Sequence, residues 1–186
     1  MRIISGTARE TKLYTLDGTE ITRPTLDRVK ESIFNIIQNQ IEDANVLDLF
    51  SGSGAIGLEF LSRGARKAVL CDKSKDAIKI IQKNVEKTHM ENKSKILNCD
   101  FEKCLEKLQN EIFDIIYIDP PYKTNYIEKS LNQIIESKIA SEDSLIILET
   151  DEEERIIKEI ENIKVEIIDK RKYGRATVIF VKKKNH

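Results

Sequence analysis

Most of the chain alternates between short apolar runs and amphipathic helical segments, and this alternation restricts the fold more than any other feature. After residue 44, five runs with β-forming composition are separated by segments whose apolar residues recur at helical spacing. The runs cover residues 46–50, 67–71, 95–98, 113–119 and 144–149. Repeated β-α units of this kind predict a doubly wound α/β fold, with a parallel sheet, helices on both faces and right-handed crossovers.

Both ends of the chain depart from this alternation. Residues 164–168 and 177–181 are β-rich and no helix separates them, which predicts that the last strand runs antiparallel to its neighbour. At the start, residues 2–5 and 12–16 flank the turn-forming segment Gly6-Thr7-Ala8-Arg9 and indicate a small β-hairpin. A length of 186 residues suits one compact domain with a small appendage. We therefore predict an N-terminal β-hairpin arm over residues 1–22 and a single domain over residues 23–186.

The net charge is −1, which by itself argues against a nucleic-acid partner, but the charges are unevenly distributed. Residues 170–186 contain seven Lys or Arg and no acid, whereas residues 149–161 contain seven acids and only two basic residues. Such asymmetry permits a basic face that meets phosphate. For Lys182, Lys183 and Lys184 alone, a solvated tail is the better interpretation.

No apolar run is long enough to span a membrane, and the first residues do not resemble a secretion signal, so we expect a cytoplasmic protein. The three cysteines, Cys71, Cys99 and Cys104, are odd in number and show no C-x-x-C spacing. Only two histidines accompany them. This pattern favours reduced, mostly buried thiols and no metal site.

A glycine-rich turn joins the first β-run to the helix that follows it. The segment Gly52-Ser53-Gly54-Ala55-Ile56-Gly57 fits the pattern G-x-G-x-x-G, and Asp72 ends the next β-run about 20 residues later. This arrangement is typical of a nucleotide site at the carboxyl edge of the sheet. By itself it also fits NAD.

Acidic residues beside this turn favour a cationic cofactor. Asp48 precedes the turn near the end of its strand, where it would repel the pyrophosphate of NAD. S-adenosylmethionine has no phosphate and carries an ammonium and a sulfonium group, which a carboxylate stabilises. Asp72 would then accept hydrogen bonds from the ribose hydroxyls, and Asp100, after the third β-run, would accept one from the adenine amino group. Three acids at neighbouring strand ends therefore predict S-adenosylmethionine.

The segment Asp119-Pro120-Pro121-Tyr122 follows the fourth β-run, at the same edge of the sheet as the glycine turn. Because proline has no backbone N–H, the segment offers mainly hydrogen-bond acceptors. If Asp119 and the Pro120 carbonyl each accept one N–H of an aromatic amine, the nitrogen lone pair turns out of the ring system and toward a methyl donor. Tyr122 can stack on a base that has left its helix. These residues predict methylation of an exocyclic amine without a metal or a strong general base.

Three segments together carry a resemblance to a known family. They are the turn region 48–59, the Asp-Pro-Pro-Tyr segment, and an N-terminal pattern made of Arg2-Ile3-Ile4-Ser5-Gly6 and Arg23-Pro24-Thr25-x-x-Arg28-Val29-x-Glu31. Over essentially its whole length the chain resembles the RsmD family, bacterial methyltransferases specific for N2 of a guanine in 16S ribosomal RNA. The resemblance implies a class I S-adenosylmethionine-dependent methyltransferase fold (Rossmann-like) with a seven-stranded, mostly parallel sheet. It implies a substrate that is either 16S ribosomal RNA or the assembling small subunit.

The resemblance also distributes roles among residues of this chain. The residues that handle the base would be Asp119, Pro120 and Tyr122. Cofactor contacts would come from Asp48, Gly52, Gly54, Asp72 and Asp100, with Arg23, Thr25 and Arg28 around the methionine end. RNA contacts would come from Arg2, Arg9 and Lys12 of the N-terminal arm and from Pro121. We expect the protein to act as a monomer.

Three other functions stay open on the sequence. An adenine-N6 or cytosine-N4 nucleic-acid methyltransferase shares both motifs, but such enzymes usually carry an added target-recognition region, for which 186 residues leave little room. A nicotinamide-dependent oxidoreductase would use the glycine turn, and Asp48 counts against it. A non-catalytic RNA-binding assembly factor would not need Gly52 and Asp119, which are both present.

Overall fold

The computed structural model describes residues 1–16 and 24–185, and the strands of this described part form one seven-stranded sheet. In chain order the strands are β1 (Asn45–Asp48), β2 (Lys67–Asp72), β3 (Ser94–Asn98), β4 (Phe113–Ile118), β5 (Ala140–Thr150), β6 (Val165–Tyr173) and β7 (Ala176–Lys183). The α-helices are α1 (Pro24–Ile37), α2 (Ala55–Ser62), α3 (Lys75–Lys87), α4 (Phe101–Lys107), α5 (Tyr126–Glu136) and α6 (Glu153–Ile160).

The sheet has the strand order β3-β2-β1-β4-β5-β7-β6. Neighbouring strands from β3 to β5 run parallel, and β7 is antiparallel to both β5 and β6. The predicted mostly parallel seven-stranded sheet with an antiparallel last strand is therefore confirmed. The chain order reverses between β1 and β4, and ligands of open α/β sheets bind outside the carboxyl ends of the strands at such a point.

Two strands are longer than their apolar runs predicted. β5 begins at Ala140 instead of residue 144, and β6 continues to Tyr173 instead of ending at residue 168. β6 lies at the edge of the sheet with most of its side chains exposed, so charged residues such as Lys170 and Lys172 fit in it. An exposed edge strand does not need the apolar pattern on which the prediction depended.

Each face of the sheet is covered by its own hydrophobic core, because successive residues of a strand point to opposite faces. In β4, Ile115 and Tyr117 join the core formed with α1, α2 and α3. Ile116 and Ile118 join the core formed with α4, α5 and α6. Among the described helices, none combines the length and the apolar composition that are needed to cross a membrane.

The N-terminal segment packs onto the first of these cores. Arg2 pairs with Lys12 in an antiparallel bridge, and the Ile3 N–H donates to the Thr11 carbonyl at 2.9 Å. The Ile3 side chain is fully buried. The described part of the predicted arm is thus a small hairpin-like loop with an apolar anchor, and residues 17–22 lie outside the described residues.

A buried amide fastens the end of this segment to the glycine turn. The side chain of Asn84, in α3, accepts a hydrogen bond from the Tyr14 N–H at 2.8 Å and donates one to the Tyr14 carbonyl at 3.0 Å. It also donates to the Ser53 carbonyl at 2.8 Å, and it is fully buried. One side chain therefore couples the N-terminal segment, α3 and the turn.

Glu59, in α2, is a fully buried carboxylate that joins three parts of the chain. It accepts hydrogen bonds from the backbone N–H groups of Ile4 at 3.0 Å and Ser5 at 3.2 Å. It also pairs with Lys30 Nζ at 3.0 Å and with Arg63 Nε at 2.8 Å. Lys30 comes from α1 and is only 3% exposed. Because buried charges are stable only when they are paired and hydrogen-bonded, this network fixes the N-terminal segment and α1 against α2.

We expect Glu59→Ala to lower the free energy of unfolding by about 3–5 kcal/mol, because Lys30 would stay buried without its partner. Urea unfolding followed by circular dichroism measures this change. Glu86→Ala, on the exposed surface of α3, is the matched control and should change the free energy by less than about 0.5 kcal/mol. If Glu59→Ala unfolds at the same urea concentration as the wild type, the network does not hold the segment in place.

Candidate active site

A cleft of about 710 Å³ opens at the carboxyl ends of the central strands, where the strand order reverses. Its walls contain the glycine turn, the ends of β2, β4 and β5, and residues of the N-terminal segment and α1. The predicted site residues in its lining are Asp48, Gly52, Asp72, Asp100, Asp119, Pro120, Pro121 and Tyr122. Most of the predicted site is therefore brought together in one cleft, whose volume is typical of small-molecule sites.

The backbone of the glycine turn adopts conformations that other residues rarely take. Gly52 has a φ of 57° and Gly54 a φ of 82°, both in the left-handed region. Asp72 holds the turn, since its Oδ2 accepts from the Gly52 N–H at 2.9 Å and its Oδ1 from the Ser74 N–H at 2.9 Å. A carboxylate has about four acceptor positions, so Asp72 keeps acceptor capacity for a ligand in the cleft.

Asp48 lies at the end of β1, beneath the turn, and is almost completely buried. Its Oδ2 accepts from the Gly57 N–H at 3.1 Å. Gly57 allows α2 to approach the sheet this closely, because a Cβ at that position would lie 2.0 Å from Leu70 Cδ2. Burial raises the pKa of the Asp48 carboxyl to about 7, against the lowering effect of the hydrogen bond from Gly57. The Asp48 side chain therefore changes its charge near neutral pH.

Asp100 is exposed at the rim of the cleft and begins α4. Its Oδ1 caps this helix by accepting from the Lys103 N–H at 2.9 Å, a structural role that was not predicted from the sequence. Beside it, Phe50, Phe101 and Tyr126 form an aromatic cluster in which the centroids of Phe101 and Tyr126 are 4.8 Å apart. All three rings line the cleft and give it an apolar wall next to its acids.

The Asp119 segment follows β4 and lines the cleft together with the aromatic cluster. Asp119 is exposed to the cleft, Pro120 is buried, and Tyr122 is 69% exposed. The Thr124 hydroxyl donates to the Pro121 carbonyl at 2.9 Å, which closes the loop after the two prolines. The segment thus presents an acid and an aromatic ring to the cleft from a constrained backbone.

A buried tyrosine and a second acid stand next to Asp119, and neither was predicted from the sequence. The Tyr117 hydroxyl donates to Glu149 Oε2, and both residues line the cleft. Protein surroundings that exclude bulk water raise the pKa of the Asp119 carboxyl well above its ordinary value, and Glu149 and Asp48 raise it further. Burial raises the pKa of Glu149 as well. The available signal was that Glu149, like Asp119, comes at the end of an apolar β-run.

The basic residues of the N-terminal segment stand outside the lining of the cleft. Arg2 is paired with Glu10 at 2.6 Å, and Arg9 and Lys12 are exposed on the same small loop. These side chains do not reach the acids of the cleft, and they form a separate exposed surface beside it.

The segment predicted to surround the methionine end of the cofactor is only partly described. Arg23 and the side chain of Thr25 lie outside the described residues, and Arg28 is exposed on α1 without lining the cleft. The wall on this side contains Met1, Leu26, Val29, Lys30 and Ile33. This wall is mainly apolar, and the ion pair between Lys30 and Glu59 fixes its position against α2.

Cys71 meets Cys99 and Cys104 beside the cleft, although it lies 28 residues before Cys99 in the sequence. The Sγ atoms of Cys71, Cys99 and Cys104 all lie within 4.8 Å of one another. A hydrogen bond with Cys104 and burial raise the pKa of Cys71, and burial raises the pKa of Cys99. The spacing of the cysteines did not indicate this cluster. It forms because Cys71 in β2 and Cys99 after β3 lie at the ends of neighbouring strands, and Cys104 lies in α4, the helix that follows β3.

Comparisons with known proteins agree with this architecture. The family model described as Conserved hypothetical protein 95 matches residues 1–182. YlbH of Bacillus subtilis, provisionally named an rRNA methyltransferase, is 34% identical over 186 residues, 99% of this chain and 100% of that protein. Ribosomal RNA small subunit methyltransferase D of Haemophilus influenzae is 33% identical over 159 residues, 84% of this chain and 82% of that protein.

Solved structures share the fold. The protein yhhF of Escherichia coli, provisionally named a methyltransferase, has a TM-score of 0.83 at 25% identity and covers 100% of this chain and 99% of its own. A more distant structure was crystallised with S-adenosylhomocysteine (SAH). It has a TM-score of 0.64 and 20% identity over 80% of this chain and 49% of its own, and this likeness concerns the fold alone.

The family model covers nearly the whole chain, and the named relatives cover most of it at more than 30% identity. The predicted class I methyltransferase fold, with its seven-stranded and mostly parallel sheet, is confirmed. The chain therefore belongs to the RsmD family of RNA methyltransferases.

Proposed function

We propose that the protein transfers a methyl group to the exocyclic N2 amine of a guanine in 16S ribosomal RNA, either free or in the assembling small subunit. The observation that carries this proposal is that the Asp119 segment opens into the same cleft as the glycine turn and Asp72. An amine held at Asp119 therefore faces the cofactor side of one cavity. The Haemophilus influenzae relative is named for the small ribosomal subunit, which supports this choice of RNA and action in the cytoplasm.

The residues of the cleft fit S-adenosylmethionine by charge and shape. The left-handed turn at Gly52 and Gly54 would let the backbone approach the cofactor, and Asp72 has acceptor capacity for the ribose hydroxyls. Asp48 would balance the ammonium and sulfonium charges. Asp100, beside the apolar ring of Phe101, would accept from the adenine amino group. When bound, S-adenosylmethionine supplies a methyl group that its positively charged sulfur activates.

Asp119 and its loop would prepare the target amine. The Asp119 carboxylate and the Pro120 carbonyl each accept one N–H, which directs the nitrogen lone pair out of the plane of the base. Tyr122, which is exposed at the rim, would stack on the base once it has left the RNA helix. A carboxyl group whose pKa is raised is a better proton acceptor once it is ionised, so Asp119 would also take the proton that the amine releases.

The N-terminal segment would contribute phosphate contacts as an arm over residues 1–22 on a domain over residues 23–186. Arg9 and Lys12 are exposed on this loop, and Arg2 is half-exposed in its pair with Glu10. Pro121, at the rim of the cleft, would contact the RNA beside the target base. We propose that the protein acts as a monomer and without a metal ion.

The first test is whether N2-methylguanosine disappears from 16S RNA in a strain that lacks the gene. Mass spectrometry of nucleosides should show the loss, and the wild-type gene should restore the modification. Asp119→Ala should not restore it, because kcat should fall by about 10²- to 10⁴-fold when the amine loses its acceptor. Asp143→Ala, at the exposed far end of β5, is the control and should restore it fully. An unchanged amount of N2-methylguanosine in the deletion strain would refute the proposed function.

The second test concerns pH. Asp48 has a pKa of about 7 in the free protein, and a cationic cofactor would favour its ionised form. Below pH 7, cofactor binding therefore releases a proton from Asp48. The affinity for the cofactor should then rise by up to about tenfold per pH unit as the pH approaches 7, and it should be constant at higher pH. Isothermal titration calorimetry measures the dissociation constant. Asp48→Asn should bind the cofactor more weakly, and its affinity should not depend on pH in this way. The exposed control Asp76→Asn should keep the pH dependence. If the pH dependence persists in Asp48→Asn, another group causes it.

The third test addresses the arm. The double substitution Arg9→Ala, Lys12→Ala should raise the KM for RNA by about tenfold. It should also make the slope of log K against log salt concentration less steep by about one to two, because each phosphate contact that is lost no longer releases counterions. The KM for the cofactor should not change. Lys164→Ala with Lys184→Ala, at the opposite end of the sheet, is the charge-matched control. A larger effect on the cofactor than on the RNA would contradict an RNA-contacting arm.

A further inference from the structure

Glu149 is an acid of the cleft for which the reaction described above has no use. In the parallel pairing of β4 with β5, Tyr117 is opposite Ile147 and Ile118 is opposite Leu148. The next residues in this register are Asp119 and Glu149. The two acids therefore leave adjacent strands side by side, and both line the cleft.

The position of the Glu149 carboxylate is fixed by Tyr117. The Tyr117 side chain is 1% exposed and its hydroxyl donates to Glu149 Oε2. A carboxylate can accept about four hydrogen bonds, so this contact leaves Glu149 able to accept another from the cleft. A fixed acceptor thus stands beside Asp119, the acceptor assigned to the exocyclic amine.

Two neighbouring acids in a cleft of low dielectric repel each other unless a ligand brings donors to them. Surroundings that exclude bulk water raise the pKa of both carboxyls, and the charge of Glu149 raises the pKa of Asp119 further. A ligand with a single N–H donor group would satisfy only one of the two acids. A ligand with two adjacent donor groups would satisfy both, and hydrogen bonds to charged groups are the stronger ones.

Guanine is the base that carries two adjacent donor groups at the edge concerned. Its N1–H lies next to the N2 amine on the Watson–Crick edge. In adenine the nitrogen next to the N6 amine is a bare acceptor, and in cytosine the nitrogen next to the N4 amine is also a bare acceptor. Either of these bases would direct a lone pair at Glu149, and such an unpaired acceptor pair is disfavoured in a desolvated site.

We propose that Glu149 accepts the N1–H of the target guanine while Asp119 holds the N2 amine, so that the pair of acids selects guanine over adenine and cytosine. This inference rests on the proposed function and adds to it the residue that chooses the base. The Asp-Pro-Pro-Tyr segment then binds the exocyclic amine, which adenine and cytosine also carry, and Glu149 selects guanine among the bases. Tyr117 acts as a positioning residue, through Glu149.

The test compares guanine with 2-aminopurine at the nucleotide that the wild-type protein methylates. 2-Aminopurine keeps the 2-amino group, but its N1 carries no hydrogen. The RNA is made by splinted ligation and used free or assembled into small subunits. Two quantities are measured: kcat/KM for methyl transfer, and the dissociation constant of the RNA without cofactor, followed by 2-aminopurine fluorescence or by competition with the guanine RNA.

Wild-type protein should prefer guanine to 2-aminopurine by about 10- to 100-fold in both quantities, because 2-aminopurine cannot donate to Glu149. Glu149→Gln keeps the shape of the side chain, and its amide N–H₂ can donate to the bare N1 of 2-aminopurine. This variant should therefore abolish or reverse the preference. Glu142→Gln, exposed in the same strand β5, is the matched control and should keep the wild-type preference.

The wild-type comparison requires no variant, so it can overturn the proposal even if Glu149→Gln folds poorly; because 2-aminopurine also lacks O6, the changed preference of Glu149→Gln is what assigns the effect to N1–H. Equal use of both bases by the wild type overturns the role of Glu149. The role of Glu149 is also overturned if Glu149→Gln lowers kcat/KM and RNA affinity by the same factor for guanine and for 2-aminopurine. In that case Glu149 supports the structure and does not select the base. In each of these cases the proposed function stands if the wild type still forms N2-methylguanosine; if it forms none, the proposed function and the selection by Glu149 both fall.

Discussion

The buried carboxylate of Glu59 is the group on which one wall of the cleft depends. Removing a charge from water costs several kcal/mol, and Glu59 offsets this cost by meeting Lys30, Arg63 and two backbone N–H groups together. Because these partners come from different parts of the chain, the network exists only when the N-terminal segment, α1 and α2 are assembled. Lys30 itself lines the cleft, so the same contact that stabilises the fold also shapes the site.

At the ends of β1, β4 and β5, by contrast, the protein surroundings destabilise the ionised forms of the acids that line the cleft. Desolvation raises the pKa values of Asp48, Asp119 and Glu149, and the charges of Glu149 and Asp48 raise the pKa of Asp119 further. A structure gains no stability from such a group of acids. They are compensated by ligands that bring positive charge or N–H donors, which is the chemistry of a sulfonium cofactor and of an amine on a base. The unfavourable charge arrangement is thus a functional feature of the cleft.

Much of the site could be predicted because parallel strands bring their carboxyl ends to one edge. Asp48, Asp72 and Asp119 each come at the end of a β-run, so assigning the runs was enough to place these acids together. Gly52 and Gly54 were predictable from local pattern, since the turn requires left-handed backbone. The extent of β6 was not, because an exposed edge strand carries no apolar signal. Arg28 was assigned by resemblance alone, and the helix on which it lies turns an apolar stripe toward the cleft instead.

The sequence by itself determined the α/β class, the edge at which the cleft opens and the two motifs that line it. These follow from short-range pattern and from the geometry of parallel strands. Only the tertiary structure decided that Glu149 stands beside Asp119, that Asn84 ties the N-terminal segment to the glycine turn, and that Cys71 meets Cys99 and Cys104. Each of these contacts joins residues far apart in the chain, and its existence depends on strand register and on helix packing. Register is set by the packing of whole faces, and no local spacing encodes it.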